Sequence, residues 1–197
     1  MRLVVGMSGA SGAIYGVRLL EVLRSLRVET HLVMSEWAET IVEDETGHTA
    51  ASVRSIADHS YGPYDLLSAV ASGSFLTDGM IVAPCSMKTL AGIASGYTDN
   101  LLLRAADVSL KERRKLVLLT RESPLGLIHL ENMIRVTRAG GIIVPPVPSF
   151  YTQPTSVSDI VDQTVGRVLD LFGLTRHGLV QRWGEDLAHG TDCSEPQ

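Results

Sequence analysis

The sequence predicts an α/β protein with a doubly wound parallel sheet, that is, one parallel sheet with helices on both faces. Two observations lead to this prediction. Short β-branched runs alternate with longer stretches of helical periodicity, as crossover connections between parallel strands require. Runs such as 80–83 (Met-Ile-Val-Ala) and 116–119 (Leu-Val-Leu-Leu) are apolar throughout, as expected for strands buried on both faces.

Each element can be assigned in chain order. The predicted strands are Arg2 to Gly6, Val28 to Met34, Gly79 to Ala83, Lys115 to Thr120 and Gly141 to Pro145. The predicted helices cover 14–26, a stretch beginning after Ser35 as N-cap, 50–58, 65–72, 87–95, 101–114, 127–139 and 156–172. No stretch has the composition of an interdomain linker, and 197 residues suit one domain. We therefore expect a domain over residues 1–186 and a flexible tail over 187–197.

Composition narrows the function classes. Lys and Arg number 17 against 22 Asp and Glu, a formal net charge of −5, so the chain lacks the positive field of a nonspecific nucleic-acid binder. Two distant cysteines, Cys85 and Cys193, indicate neither a disulfide framework nor a zinc site. No apolar run approaches the roughly 20 residues of a membrane span, and the N-terminus does not look like a signal peptide. We expect a cytoplasmic location.

Two loops rich in small residues follow predicted strands. The first, Gly6 to Gly12, reads GxxGxxG and opens a helix, so its backbone amides are expected to approach an anion. It is neither the dinucleotide GxGxxG nor a Walker loop, which favours a mononucleotide or a polar ring edge over NAD. The second, Pro84 to Thr89, would face the same crevice if its strand flanks the first. A tight turn without a ligand is the alternative for the first loop.

Charged side chains form a local excess between residues 104 and 121. Six cations there, Arg104, Lys111, Arg113, Arg114, Lys115 and Arg121, stand against two acids, a local charge of 6 − 2 = +4. Arg104 and Lys111 are two helical turns apart, so both project from one face and can hold a phosphate. A solvated helix surface is the alternative interpretation.

Further candidates are carboxylates and a tyrosine. Glu122 follows the fourth predicted strand in a proline-stiffened loop and is a candidate proton-transfer group, with Glu45 as a second carboxylate. Tyr151 follows a rigid proline-rich approach, and its hydroxyl can bond a phosphate oxygen. The six histidines are scattered and no HExxH or DDxxD pattern occurs, so we expect no metal site. Cys85 is interpreted as a packing residue, with a nucleophilic thiol as the alternative.

Eight short blocks together resemble the flavin prenyltransferases (UbiX-like), in that family's order and spacing, from residue 2 to about residue 186. The blocks are Met7 to Gly12, Pro84 to Ser86, Arg104 to Val108, Lys111 to Arg114, Arg121 with Glu122, His129 to Met133, Phe150 to Pro154 and Arg182 to Glu185. The resemblance implies a Rossmann-like (flavodoxin-like) homo-oligomer, expected to be a dodecamer. It implies metal-independent transfer of a dimethylallyl group from dimethylallyl phosphate to N5 and C6 of reduced FMN, which yields prenylated FMN for a UbiD-type decarboxylase.

The resemblance also implies residue roles. FMN would be held by Gly9, Ala10, Ser11, Ser35, Ser86, Met87, Lys88, Thr89 and Arg121. The allylic phosphate would be held by Arg104, Lys111, Tyr151 and Arg167. The acid–base groups would be Ser11, Glu45 and Glu122, and Trp183 would wall the pocket. Some of these side chains would reach across a subunit boundary.

The chain departs from the family pattern at one loop, and this departure concerns the identity of the partner decarboxylase. Many members have small residues after Cys-Ser, whereas this chain has Met87 and Lys88, a variant that resembles the subgroup accompanying hydroxyarylic (phenolic) acid decarboxylases. Two alternatives remain. An FMN-dependent cysteine decarboxylase would show Pro-Ala-Ser-Ala-Asn-Thr and Pro-Ala-Met-Asn blocks, which the chain lacks. A noncatalytic FMN carrier would leave the cations and Tyr151 without a role.

Overall fold

The fold is built on one six-stranded sheet. The structure is a computed structural model that describes residues 1–182. Its strands are β1 (Arg2–Met7), β2 (Glu29–Met34), β3 (His59–Tyr61), β4 (Gly79–Cys85), β5 (Lys115–Thr120) and β6 (Ile142–Ile143). The strand order is β3-β2-β1-β4-β5-β6 and every neighbouring pair is parallel. The predicted doubly wound sheet is confirmed.

Helices connect the strands. They are α1 (Ala13–Ser25), α2 (Glu36–Thr46), α3 (Ala50–Ile56), α4 (Met87–Ser95), α5 (Leu101–Lys111), α6 (Leu127–Arg138) and α7 (Val157–Leu171), with 3₁₀ turns at Ala69–Ala71 and Phe150–Thr152. The N-cap predicted at Ser35 is present, because its hydroxyl accepts a hydrogen bond from Ala38 N at 3.2 Å. Within the described residues, no helix is both long and apolar enough to span a membrane.

The core follows from the alternation of side chains along the central strands. Val4, Met80 and Leu118 are buried in one cluster that also contains residues of α4 and α5. The intervening residues of the same strands, such as Val5 and Ile81, are also fully buried. Because successive side chains of a strand point to opposite faces, the central strands are covered on both sides.

Two sequence expectations differ from the structure. Strand β3 was not predicted because His59–Tyr61 offers no apolar run; it pairs only with β2 among the described strands. The helix predicted over 65–72 is wrong, since only a 3₁₀ turn forms there and Leu67 is fully exposed. The apolar residues of this segment have helical spacing, but its leucines are exposed and do not pack into the core, so packing does not stabilise a helix there.

The chain divides into two compact units, Met1–Val147 and Pro148 onward. The first holds the whole sheet and helices α1 to α6. The second holds the 3₁₀ turn at Phe150–Thr152 and helix α7. The single domain over 1–186 stays a prediction, and the tail predicted over 187–197 lies outside the described residues.

Candidate active site

The strand order reverses between β1 and β4, so the loops after these two strands open into the same crevice. Ser8 ties the two loops together. Its hydroxyl donates to Pro84 O at 2.9 Å and accepts from Ser86 N at 2.8 Å, and the residue is 2% exposed. Ser8 was not among the predicted site residues, although a hydroxyl residue inside a glycine-rich loop is a usable signal for such a link.

Two helices begin at this crevice with the same kind of cap. Ser35 caps α2, and Ser86 caps α4 by accepting a hydrogen bond from Thr89 N at 3.2 Å. Each hydroxyl satisfies one amide of a first turn, and the positive end of each helix dipole remains directed toward the cap. The first turn of α4 contains no acidic residue, whereas that of α2 contains Glu36 and Glu39, so α4 contributes more than α2 to the attraction of an anionic group.

A groove of about 420 Å³ lies between these N-termini. Its lining residues are Gly9, Ser35, Trp37, Ser86, Lys88, Thr89, Ala91, Gly92, Ser95, Tyr97, Asp99, Asn100, Leu102 and Leu103. Lys88 is exposed and supplies the positive side chain. The groove thus unites five of the nine predicted FMN residues, namely Gly9, Ser35, Ser86, Lys88 and Thr89.

Gly9 and Trp37 form the wall on the β1 side of the groove. A Cβ atom on Gly9 would collide with Cβ of Trp37, so glycine is what allows the loop and α2 to approach so closely. Trp37 is 69% exposed, which is unusual for a large aromatic side chain. Sequence reasoning missed it, because an indole in a first helical turn carries no pattern that marks it as a wall.

The N-terminus of α1 is occupied by a carboxylate of the same chain. Glu45 Oε2 accepts hydrogen bonds from Gly12 N at 2.7 Å and Ala13 N at 3.0 Å, and the Ser11 side chain bonds the same carboxylate. The expectation that the GxxGxxG loop presents this helix end to an external anion therefore needs correction. Glu45, 32 residues or more away in sequence, is the anion there.

The environment of Glu45 keeps it ionised. Partial burial raises the pKa of its carboxyl, but hydrogen bonds from Ser11, Gly12 and Ala13, with the positive charge of Arg121, outweigh this and lower the pKa overall. The lowered pKa keeps the Glu45 carboxylate ionised at neutral pH, so it accepts hydrogen bonds there. The structure thus joins Ser11 and Glu45, two of the three residues predicted for acid–base chemistry.

Arg121 and Glu122 begin the loop after β5. Both are exposed, and Arg121 N donates to Cys85 O at 3.2 Å, which fixes this loop beside the end of β4. Glu122 Oε1 accepts from Ser123 N at 2.9 Å. Cys85 itself is fully buried, and burial raises the pKa of its thiol, in accord with a packing role.

The predicted cation cluster is divided by the length of α5. Asn100, the N-cap of α5, lines the groove, whereas Lys111 is the last residue of this 11-residue helix, about 16 Å further along. Lys111 forms an ion pair with Glu112. Arg104 donates from Nε to Ala71 O at 3.1 Å and pairs with Asp107 at 2.6 Å. Within one subunit, Lys111 therefore does not reach the groove.

The second unit holds two further candidates. Tyr151 lies in the 3₁₀ turn and is 47% exposed, and its hydroxyl accepts a hydrogen bond from Gln163 Nε2 at 3.3 Å. Arg167 is on α7, its side chain 56% exposed and paired with Asp170 at 2.9 Å. Trp183 lies outside the described residues. The phosphate roles of Tyr151 and Arg167 stay predictions.

One cluster resembles a metal site in composition. Within residues 1–182, Glu29, His31 and His59 are the three potential ligands whose atoms lie within 4.8 Å of one another. Arg2 Nε donates to Glu29 Oε1 at 2.8 Å, and the same oxygen lies 3.0 Å from His31 Nε2. Because a guanidinium already neutralises the carboxylate, we interpret the cluster as a polar link between β1, β2 and β3. The absence of a metal stays a prediction.

Comparison with known proteins identifies the family of this fold and groove. The Flavoprotein family model matches residues 1–169, so the chain belongs to the flavoproteins. A probable UbiX-like flavin prenyltransferase of Bacillus subtilis is 57% identical over 183 residues, which cover 93% of this chain and 89% of that protein. Within the flavoproteins, the chain belongs to the UbiX-like flavin prenyltransferase family.

Two crystal structures agree with this assignment. A dodecameric FMN-dependent UbiX-like decarboxylase from Escherichia coli O157:H7 is 58% identical with a TM-score of 0.91, covering 93% of this chain and 99% of that one. AnUbiX in complex with FMN and dimethylallyl pyrophosphate is 56% identical with a TM-score of 0.91, covering 92% and 96%. The eight sequence blocks therefore identified the family correctly.

Proposed function

We propose that the protein is a metal-independent flavin prenyltransferase, which joins the dimethylallyl group of dimethylallyl phosphate to N5 and C6 of reduced FMN and releases prenylated FMN. The observation that carries the proposal is the groove at the strand-order reversal, which contains two serine-capped helix N-termini and Lys88. The Ser11–Glu45 pair lies on the same loop and helix that supply Gly9 and Trp37 to the groove. The first feature suits a nucleotide phosphate and the second suits proton transfer.

The groove fits the phosphate end of FMN. The first turns of α2 and α4 present backbone N–H groups, Ser86 and Thr89 present hydroxyls, and Lys88 adds a full positive charge. The N-terminus of α1 is already satisfied by Glu45, so the nucleotide phosphate is assigned to the other two helices. Gly9 lines this groove, and Arg121 is assigned to the ring system together with Ala10 and Ser11 of the first loop.

Breaking the allylic C–O bond places negative charge on the departing phosphate. Arg104, Lys111, Tyr151 and Arg167 stabilise that charge with preplaced cations and a hydroxyl donor, which is the task magnesium performs in other prenyl-transfer sites. Since Lys111 lies a helix length from the groove of its own subunit, it serves the groove of a neighbouring subunit. The active protein is accordingly a homo-oligomer, a dodecamer like the relative from E. coli O157:H7.

The carboxylates handle protons at the flavin. Reduced FMN supplies the nucleophilic N5 and C6 atoms. Glu45, ionised at neutral pH, accepts a hydrogen bond from the Ser11 hydroxyl and orients that side chain. When the new ring closes, the double bond of the N5-bound dimethylallyl group opens by taking up one proton while its far carbon bonds to C6. Glu122, exposed at the end of β5, accepts the proton that C6 loses.

The product goes to another enzyme. Met87 and Lys88 in the second loop match the variant that accompanies hydroxyarylic acid decarboxylases, so prenylated FMN is delivered to a UbiD-type decarboxylase of that group. This protein is the supplier of the flavin and does not itself decarboxylate. Both steps take place in the cytoplasm.

The direct test is an anaerobic incubation of the purified protein with reduced FMN and dimethylallyl phosphate, followed by mass spectrometry of the flavin. Gain of one C5 unit is the expected result, and a parallel reaction with the diphosphate defines the donor. Unchanged FMN bound to the protein would indicate a flavin carrier. Release of carbon dioxide from a cysteinyl substrate would indicate a cysteine decarboxylase.

A further inference from the structure

Helix α7 carries a stripe of polar side chains in the second unit. Gln163, Arg167 and Asp170 are spaced by four and three residues, so they follow one another along one face of the helix. Gln163 is only 6% exposed, and the side chain of Asp170 is 10% exposed. Buried polar side chains in a helix need partners, and both have them.

The amide of Gln163 joins two parts of the chain. Its Oε1 accepts a hydrogen bond from Gln181 N at 3.2 Å, and its Nε2 donates to the Tyr151 hydroxyl oxygen at 3.3 Å. A backbone N–H can only donate, so the amide oxygen must face Gln181 and the amide nitrogen must face Tyr151. In this bond Tyr151 is the acceptor, and its own O–H is directed away from Gln163.

The segment that follows α7 is held against the same stripe. Asp170 accepts two hydrogen bonds from Arg182, at 2.8 and 2.9 Å, and lies 3.2 Å from Nε2 of His177. A Cβ atom on Gly166 would collide with Val180 and His177, so the segment passes close to the helix there. Residues 177–182 are therefore attached to α7 at both Gln163 and Asp170.

We propose that Gln163 is a positioning residue for the prenyl donor, which fixes the Tyr151 hydroxyl as a hydrogen-bond donor to the donor's phosphate and links that hydroxyl to the segment 177–182. This inference rests on the proposed function, in which Tyr151 binds the allylic phosphate. A phenol that accepts from a buried amide is constrained in orientation and donates its own proton elsewhere. An anionic phosphate oxygen is the acceptor that gains most from such a fixed donor.

The same stripe organises the second candidate phosphate ligand. Arg167 bonds Asp170, which is already bonded twice by Arg182. Because Arg167 is the more exposed of these two arginines and makes one bond to the carboxylate, it can turn toward a phosphate while Arg182 keeps Asp170 paired. Gln163 acts on Tyr151 and Asp170 acts on Arg167, so the two ligands are oriented from one helix face.

The test measures donor binding apart from chemistry. The dissociation constant of dimethylallyl phosphate is determined by calorimetry on protein loaded with oxidised FMN, for the wild type, Gln163→Leu, Tyr151→Phe and the double variant. Each single variant is expected to weaken donor binding about tenfold, as for loss of one hydrogen bond to a charged group. The double variant should be no weaker than Tyr151→Phe alone, because Gln163 acts through Tyr151. The affinity for FMN should stay within about twofold.

Two controls separate positioning from folding. Thr164→Val removes a neighbouring buried hydroxyl that donates to Ile160 O within α7, and it should leave donor binding unchanged. Gln163→His keeps one ring nitrogen to donate to Tyr151 and one to accept from Gln181 N, and it should restore near wild-type binding. If Gln163→Leu does not fold, the histidine variant and Tyr151→Phe still decide the matter.

Several results would overturn the inference. These are additive losses in the double variant, a Gln163→Leu protein that binds the donor like Thr164→Val, a Gln163→His protein that is folded but as weak as Tyr151→Phe, or a wild type that does not bind the donor at all. Failure of the proposed function looks different: the wild type would bind the donor with the expected dependence on Gln163, yet reduced FMN would gain no C5 unit.

Discussion

Replacing Glu45 by glutamine keeps the shape of the side chain and removes its charge from the N-terminus of α1. The carboxylate accepts from Gly12 N at 2.7 Å and Ala13 N at 3.0 Å. A negative charge at a helix N-terminus contributes 0.3 to roughly 1 kcal/mol at the surface and up to about 2 kcal/mol when partly buried. Because Glu45 is largely exposed, we expect Glu45→Gln to lower the free energy of unfolding by about 1 kcal/mol at pH 7.

The difference in the free energy of unfolding between the wild type and Glu45→Gln should depend on pH in a defined direction. The pKa of Glu45 in the folded protein is below its ordinary value of 4.5, so the charge contributes fully above pH 4.5 and its contribution is lost as the pH falls through the folded pKa. The difference between wild type and Glu45→Gln should therefore be largest near neutrality and shrink in acid. Urea unfolding followed by circular dichroism at several pH values, at one protein concentration, measures it.

Asp44→Asn is the matched control, since it removes the same charge from the adjacent exposed position of α2. If Glu45→Gln and Asp44→Asn unfold alike at pH 7, or if the Glu45→Gln difference grows as the pH falls, the capping argument is refuted. Loss of the ionised partner of Ser11 should also slow prenylation at least tenfold, in the general range of acid–base effects.

Three further predictions follow from the same geometry. Glu122→Gln should slow prenylation by roughly 100-fold with little change in FMN affinity, and a variant that turns over at the wild-type rate would disprove its proton role. Lys88→Ala should weaken the binding of FMN about tenfold in fluorescence titrations, and the loss should be larger at low salt. The binding of riboflavin should not change, because the Lys88 charge acts on the phosphate. Lys115→Ala is the control, since Lys115 is the first residue of β5 and the groove lies at the carboxyl end of the strands. Asp170→Asn should lower the free energy of unfolding by about 1–2 kcal/mol above pH 4, since Arg182 lowers the pKa of Asp170 to about 2. Amide hydrogen exchange of residues 175–182 should be faster in the variant than in the wild type, and the difference should vanish as the pH falls from 4 to 2.

The sequence determined the architecture and the family. Continuous apolar runs at 80–83 and 116–119 predict buried parallel strands because only strands covered on both faces lack polar alternation. The small residues after β1 and β4 predict a crevice because parallel strands end at a common edge. Apolar runs do not predict β3, because its three residues are polar or aromatic and show no hydrophobic periodicity.

The tertiary structure decided how the candidate site is assembled. Only folding brings Glu45 to the N-terminus of α1, because the contact joins residues about 33 positions apart. Our proposal therefore assigns the phosphate to the N-termini of α2 and α4. Only folding shows that Lys111 ends a helix of about 16 Å whose other end lines the groove, whereas in sequence it simply adds to a positive cluster. Periodicity and motifs record local backbone preferences and shared ancestry. Which side chains meet depends on packing between elements that are distant in sequence, and local patterns contain no direct information about those contacts.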